Sequence, residues 1–193
     1  MHTSRTSIIV VLLSVFAVVL PANATGNLLL NGKFHGEDNG GVGQLIGQGC
    51  GPNGLQPSGA THWVLCNDIA ATTNSDREPS TLVNGGWMMH VTTNSPQGGS
   101  GIVQTFQPAA NPTQYLCVWL NVVQGEVGVG AGDGSLTAIS AVMLNQGTWE
   151  VLNVGNNPSA AQVSEVVIFS YGGPAEFYVG RAKLSSSHGQ CAP

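Results

Sequence analysis

Charge is what this sequence has least of. Asp, Glu, Lys and Arg make up 8% of its 193 residues, against about a quarter in an ordinary soluble domain. Only five residues are Lys or Arg, and the net charge is −5. Nucleic acid and anionic lipid both recruit clusters of cations, so neither is expected as a partner. Cys-x-x-Cys is absent and no His stands near a Cys at ligand spacing, which speaks against zinc. The Gly-x-Ser-x-Gly elbow of a serine hydrolase is also missing; Gly132-Asp-Gly-Ser-Leu136 carries an extra glycine and reads as a turn. Glycosidase chemistry needs two carboxylates flanking a cleft, and Asp68, Glu126, Asp133 and Glu150 show no pattern that pairs them. Histidines 35, 62, 90 and 188 form no His-x-His or His-x₃-His pair. From these absences the chain is expected to have no catalytic residue, no metal site and no cofactor.

Long apolar runs are equally scarce after the first. Ile8 to Leu20 is 13 residues broken only by Ser14, with Arg5 before it and Pro21 after it. Ala22-Asn-Ala24 then supplies a small-x-small cleavage site. This is the pattern of a secretory signal peptide, too short for a comfortable membrane span. Residues 1–24 are therefore read as a leader and residues 25–193 as one exported domain, with no membrane span after cleavage. The expected location is extracellular, or periplasmic in a bacterium.

All four cysteines, Cys50, Cys66, Cys117 and Cys191, fall in the exported part and predict two disulfides, with three pairings open. Cys50 and Cys66 bracket a Gly/Pro-rich loop and could close locally. A Cys117–Cys191 pair would tie the tail to the sheet. As staples they are worth about 2–4 kcal/mol each.

What is plentiful is glycine, 27 residues of it, and short runs of β-branched and aromatic residues. Gly101 to Phe106 and Tyr115 to Val123 read as two strands joined by a Pro/Asn loop. The second run is apolar at both parities, Leu116, Val118, Leu120 and Val122 against Tyr115, Cys117 and Trp119, which predicts a strand covered on both faces. Further strands are expected at 62–65, 87–93, 147–154, 164–171 and 176–184, with a short one before the Asn31-Gly32 turn. The charged stretch 67–79 is expected to be a solvated loop. Glycine at every second position from Gly128 leaves one strand face bare. No amphipathic helix is legible, and many short strands at regular spacing predict an all-β sandwich.

The order of motifs is specific enough to carry a resemblance. Asn27-Leu-Leu-Leu-Asn-Gly-Lys-Phe34 is followed by Trp63, Gly86-Trp-Met-Met-His-Val91, Gly101-Ile-Val-Gln-Thr-Phe106, Tyr115-Leu-Cys-Val-Trp-Leu120, Trp149 and Glu176-Phe-Tyr-Val-Gly-Arg-Ala-Lys-Leu184. The series resembles the jelly-roll carbohydrate-binding modules of the galactose-binding-like superfamily, families 4, 9 and 22. The resemblance implies a two-sheet antiparallel jelly-roll β-sandwich whose partner is a polysaccharide or cell-surface glycan. It also implies a structural calcium site where acidic groups of the first and last motifs meet, but here Lys33, His35, Gly180 and Arg181 stand at those positions. Calcium needs several oxygen ligands, usually with carboxylates among them, so the site is expected to be lost. In the family the inward face of the Tyr115 strand matches Tyr115, Cys117 and Trp119. That leaves Leu116, Val118 and Leu120, with Gly128 and Gly130, on the usual ligand face.

Trp63, Trp87, His90 and Trp149 are the candidate ligand-binding residues. The tryptophans would stack on sugar rings, and His90 lies opposite Trp87 and Met89 in parity, facing a groove. The expected function is a secreted, non-catalytic glycan-binding module. The alternative is an extracellular structural or adhesive protein that keeps the fold without the sugar site.

Overall fold

The computed structural model describes residues 29–35, 56–58, 60, 62–66, 73–105, 115–132, 138–142, 146–155 and 164–185. The leader, Cys50 and Cys191 lie outside them. Every element among the described residues is a strand. In chain order these are β1 (Gln56–Pro57), β2 (Val64–Cys66), β3 (Thr73–Pro79), β4 (Trp87–Thr93), β5 (Gly98–Thr105), β6 (Tyr115–Gln124), β7 (Val127–Gly132), β8 (Ala138–Val142), β9 (Trp149–Gly155), β10 (Glu165–Tyr171) and β11 (Ala175–Ser185). They form a six-stranded sheet, β1-β2-β5-β10-β7-β8, and a five-stranded sheet, β3-β4-β11-β6-β9, with antiparallel pairing throughout.

The two sheets share one apolar core. The five-stranded sheet contributes Met89 and Val91, Leu116, Val118, Leu120 and Val122, Leu152 and Val154, and Phe177 and Val179. The six-stranded sheet meets them with Leu65, Ile102, Val127, Val129, Val166 and Ile168. Alternate residues along a strand point to opposite faces, so this list fixes the outward set of each strand it draws on. On β6 the outward residues are Tyr115, Cys117, Trp119 and Asn121.

That assignment reverses an expectation. Leu116, Val118 and Leu120 are core, and Trp119 is a half-buried residue of the outer face. Both parities of β6 are apolar, so composition alone left the direction open. The neighbouring strands decide it, because Val179 and Ala182 of β11 and Leu152 and Val154 of β9 pair with the leucine parity.

The charged stretch also differs from expectation, since its second half is strand β3 at the edge of the five-stranded sheet. Its inward positions are Thr73, Ser75 and Arg77, paired with Thr93, Val91 and Met89. Polar residues at the inward parity hide the alternation, and edge strands commonly carry charge. The first motif is a turn over residues 29–33, with Asn31 at φ 50°. It is clasped by buried Gln104, whose Nε2 donates to Leu30 O at 2.7 Å and whose Oε1 accepts from Leu30 N at 2.8 Å.

The glycine-bare face of β7 is filled by an aromatic ring. A Cβ on Gly128 would lie 2.7 Å from Cζ of Phe169 on β10. Phe169 belongs to a second apolar cluster, Val64, Val103 and Val167 with Cys66, on the outer face of the six-stranded sheet. Among the described residues no cysteine is a free thiol, and Cys66 and Cys117 are both disulfide-bonded. These two lie on the outer faces of different sheets, out of reach of one another, so neither is the other's partner. No helix among the described residues is long and apolar enough to cross a membrane.

Candidate functional site

Register places one row of side chains straight across the outer face of the five-stranded sheet. Asp76 of β3 pairs with His90 of β4, and His90 with Tyr178 of β11. Tyr178 pairs in turn with Asn121 of β6, and Asn121 with Trp149 of β9. All five sit at the outward parity. Four inter-strand steps make the row about 19 Å long, the scale of a short oligosaccharide rather than one sugar ring.

The centre of the row is a stacked pair. The His90 and Tyr178 rings lie 4.4 Å apart at 20°. His90 Nδ1 is 3.2 Å from Glu78 Oε1, and Nε2 is 2.9 Å from Glu176 Oε1. Each ring nitrogen of His90 thus faces a carboxylate oxygen, which fixes the plane of the imidazole. Burial, reinforced by the charges of Glu78 and Glu176, raises the Tyr178 phenol above its ordinary value of 10.0. Tyr178 therefore presents a protonated hydroxyl beside two carboxylates. Because one imidazole lies between Glu78 and Glu176, they do not face each other across open space as a glycosidase pair does. The same arrangement keeps His90, Glu78 and Glu176 from converging on one point, and no group of three His, Cys, Asp or Glu among the described residues is placed to hold a metal.

Next to the stack sits Asn121, whose Oδ1 is buried and accepts no hydrogen bond from any described residue. A buried acceptor without a donor is costly. Thr73 Oγ1 and Ser170 Oγ share that state, but both occupy inward positions. Alongside the row, Asn74, Thr92, Thr93 and Asn94 line a cavity of about 330 Å³. Sugar hydroxyls are met by such amides, hydroxyls and carboxylates around aromatic faces.

The four candidate residues divide three ways. Trp63 is sealed in the core at 0% exposure, packed on Phe34 with ring centroids 5.5 Å apart, and its Nε1 donates to Asn31 O at 3.3 Å. It has no surface to offer a ligand, so that expectation is corrected; the turn over it is what hides it. Trp87 is half-buried against the core and carries the Arg77 guanidinium on its ring at 3.9 Å. His90 and Trp149 lie in the row. Trp149 donates from Nε1 to Thr81 Oγ1 at 3.0 Å, and its ring lies over Gly180, where a Cβ would fall 2.9 Å from Trp149 Cζ3 and 2.6 Å from Leu82 Cδ2. Asp76, Asn121 and Tyr178 escaped the sequence reading, as did the outward position of Trp119. Only the outward parity of His90 hinted at the row.

The first and last motifs do meet, as Ala182 N donates to Gly32 O at 2.8 Å. Lys33, His35, Gly180 and Arg181 come together there around one cavity. No carboxylate is among its described lining residues, so the groups present do not fit calcium.

No protein-family model matches the chain, and no curated protein matches it by sequence. Among solved structures it is similar to a family 11 carbohydrate-binding module from Clostridium thermocellum in complex with a β-1,3-1,4-mixed-linked tetrasaccharide. The TM-score is 0.51 at 11% identity, over 69% of this chain and 95% of that one. It is likewise similar to the family 11 module of a cellulosomal cellulase from the same organism, with TM-score 0.50, 11% identity and 67% and 90% coverage. At that identity the likeness is one of fold. The chain therefore has a two-sheet antiparallel jelly-roll β-sandwich fold like that of those family 11 modules.

Proposed function

We propose that this chain is a non-catalytic module that binds polysaccharide or a cell-surface glycan across the outer face of its five-stranded sheet. The observation that carries this reading is the row Asp76, His90, Tyr178, Asn121 and Trp149, with the buried Asn121 Oδ1 beside its central tyrosine and without a donor. A sugar hydroxyl supplies that donor. The rings of Tyr178 and Trp149 supply apolar faces, and Asp76, Glu78 and Glu176 accept from further hydroxyls. Binding needs no movement of the row, because a β-sheet holds all five residues by backbone register.

The remaining features agree with an exported module. Residues 1–24 act as the leader and residues 25–193 as one domain. Pairing Cys50 with Cys66 would close a loop locally, and pairing Cys117 with Cys191 would tie the tail to the sheet. Trp87, with Arg77 on its ring, contributes at the margin of the site rather than at its centre.

Affinity electrophoresis of the secreted protein through a panel of neutral and acidic polysaccharides tests the reading. Retardation by at least one polymer, abolished in Tyr178→Ala, is the expected result. Migration unaltered by every polymer would favour the structural or adhesive protein instead. Release of reducing sugar, lost on substituting Glu78 or Glu176, would make the chain an enzyme.

A further inference from the structure

The cavity between the 29–35 turn and the start of β4 has a composition at odds with the rest of the molecule. It holds about 200 Å³ and is lined by Lys33, His35, Val83, Asn84, Gly85, Gly86, Trp87, Gly180 and Arg181. Just behind it, Arg77 lies over the Trp87 ring and donates from Nη1 to His35 O at 2.6 Å. Lys33, Arg77 and Arg181 are three of the five Lys and Arg residues in a chain of net charge −5. Cations so few would scatter if they served only solubility. Here Lys33 of the first turn and Arg181 of β11 line one concave space with the His35 imidazole, and Arg77 of β3 is tied to its edge through His35 O and the Trp87 ring.

The surroundings suit a small charged guest. The apolar Trp87 ring and Val83 form part of the wall, which lowers the local dielectric and strengthens charge–charge attraction. At Gly85 nothing lies within 4 Å of where a Cβ would stand, which leaves that side of the space open. Ammonium and guanidinium groups with an imidazole N–H form a donor set for carboxylate or sulfate oxygens.

We propose that this cavity binds a single oxyanion, the carboxylate or sulfate group of an acidic sugar. The site borders the row, since Gly180 of its lining lies under the Trp149 ring, but its cations belong to different residues and it does not depend on glycan binding there.

Titrating the secreted full-length domain with glucuronate, inorganic sulfate, glucose and calcium chloride, followed by amide chemical shifts, tests the proposal. Glucuronate or sulfate should move the signals of residues 33, 35, 85, 86 and 181, and glucose should not. Affinity should fall as ionic strength rises, since the Debye length is about 10 Å at 0.1 M salt. Lys33→Gln lies on an exposed turn and should keep the fold while weakening binding about tenfold. Adding Arg181→Gln should weaken it further. Glucuronate shifts with no response to inorganic sulfate would identify the sugar-borne carboxylate as the guest, and equal responses a general oxyanion site. Failure of both anions to bind, unchanged affinity in a folded Lys33→Gln variant, or stabilisation by calcium would overturn the proposal. A protein that binds glucuronate but no polymer would keep this site and lose the sheet-face reading.

Discussion

The two outer faces of the sandwich are built to opposite ends. On the six-stranded sheet the outward residues are Val64, Val103, Val167 and Phe169 beside the glycines of β7, and they are largely buried. On the five-stranded sheet the outward row Asp76, His90, Tyr178, Asn121 and Trp149 is exposed or half-buried. Both sheets feed the same core with the same alternation. The difference therefore lies in the residues that folding leaves over: one face is a second packing surface and the other carries the polar and aromatic row proposed to bind glycan.

The largest effect that could break this contrast is on stability. Val103 is 1% exposed, and Val103→Asp buries a charge with no partner. That should destabilise by about 3–5 kcal/mol, lowering Tm by about 10 °C in a domain of this size. Thermal unfolding checks it, and the same experiment on Asp76→Ala should show a change under about 0.5 kcal/mol. Next in size is Tyr178→Ala, which should weaken glycan binding about tenfold to a hundredfold while leaving the core untouched. Calorimetric titration alongside a melting curve separates the two consequences.

Asn121→Ala sharpens the contrast further because its two effects have different signs. Removing a buried acceptor that has no partner should leave the unliganded domain as stable or slightly more so. Glycan affinity should drop about tenfold, because the ligand's donor loses its acceptor. The smallest effect is on alkaline stability. With its folded value raised above 10.0 by burial and by Glu78 and Glu176, Tyr178 favours the folded state while protonated. That contribution is complete below pH 10 and is lost as pH climbs through the raised value. Denaturant unfolding should show a shallower alkaline decline in Tyr178→Phe.

Much of the fold could be read from the chain. The strands near β4, β5, β6, β9, β10 and β11 follow from β-branched and aromatic runs bounded by glycine, proline and asparagine. Strand β3 could not be read, because its inward Thr73, Ser75 and Arg77 erase the usual contrast between faces. The direction of β6 was also hidden, since a run such as Leu-Cys-Val-Trp-Leu is apolar whichever way it points. Trp63 looked like a free platform only because nothing local reveals that Phe34 and the Asn31 turn close over it.

The candidate site was legible only at single points. His90 stands out from Met89 and Val91 by parity, yet its row draws on residues 76, 121, 149 and 178 from four other strands. Which of them align depends on register, and β11 shifts register between Glu176 and Phe177 and again between Val179 and Arg181. Neither irregularity has a local signature strong enough to fix the alignment. The gathering of Lys33, His35 and Arg181 could be anticipated from the motif ends, but their cavity could not.

Mapping the amide shifts of the domain with a panel of oligosaccharides tests the sheet-face assignment most directly. A binding glycan should perturb residues 76, 90, 121, 149 and 178 together and leave 64, 103 and 167 unmoved. Shifts confined to β2, β5 and β10, or none with any glycan, would contradict it.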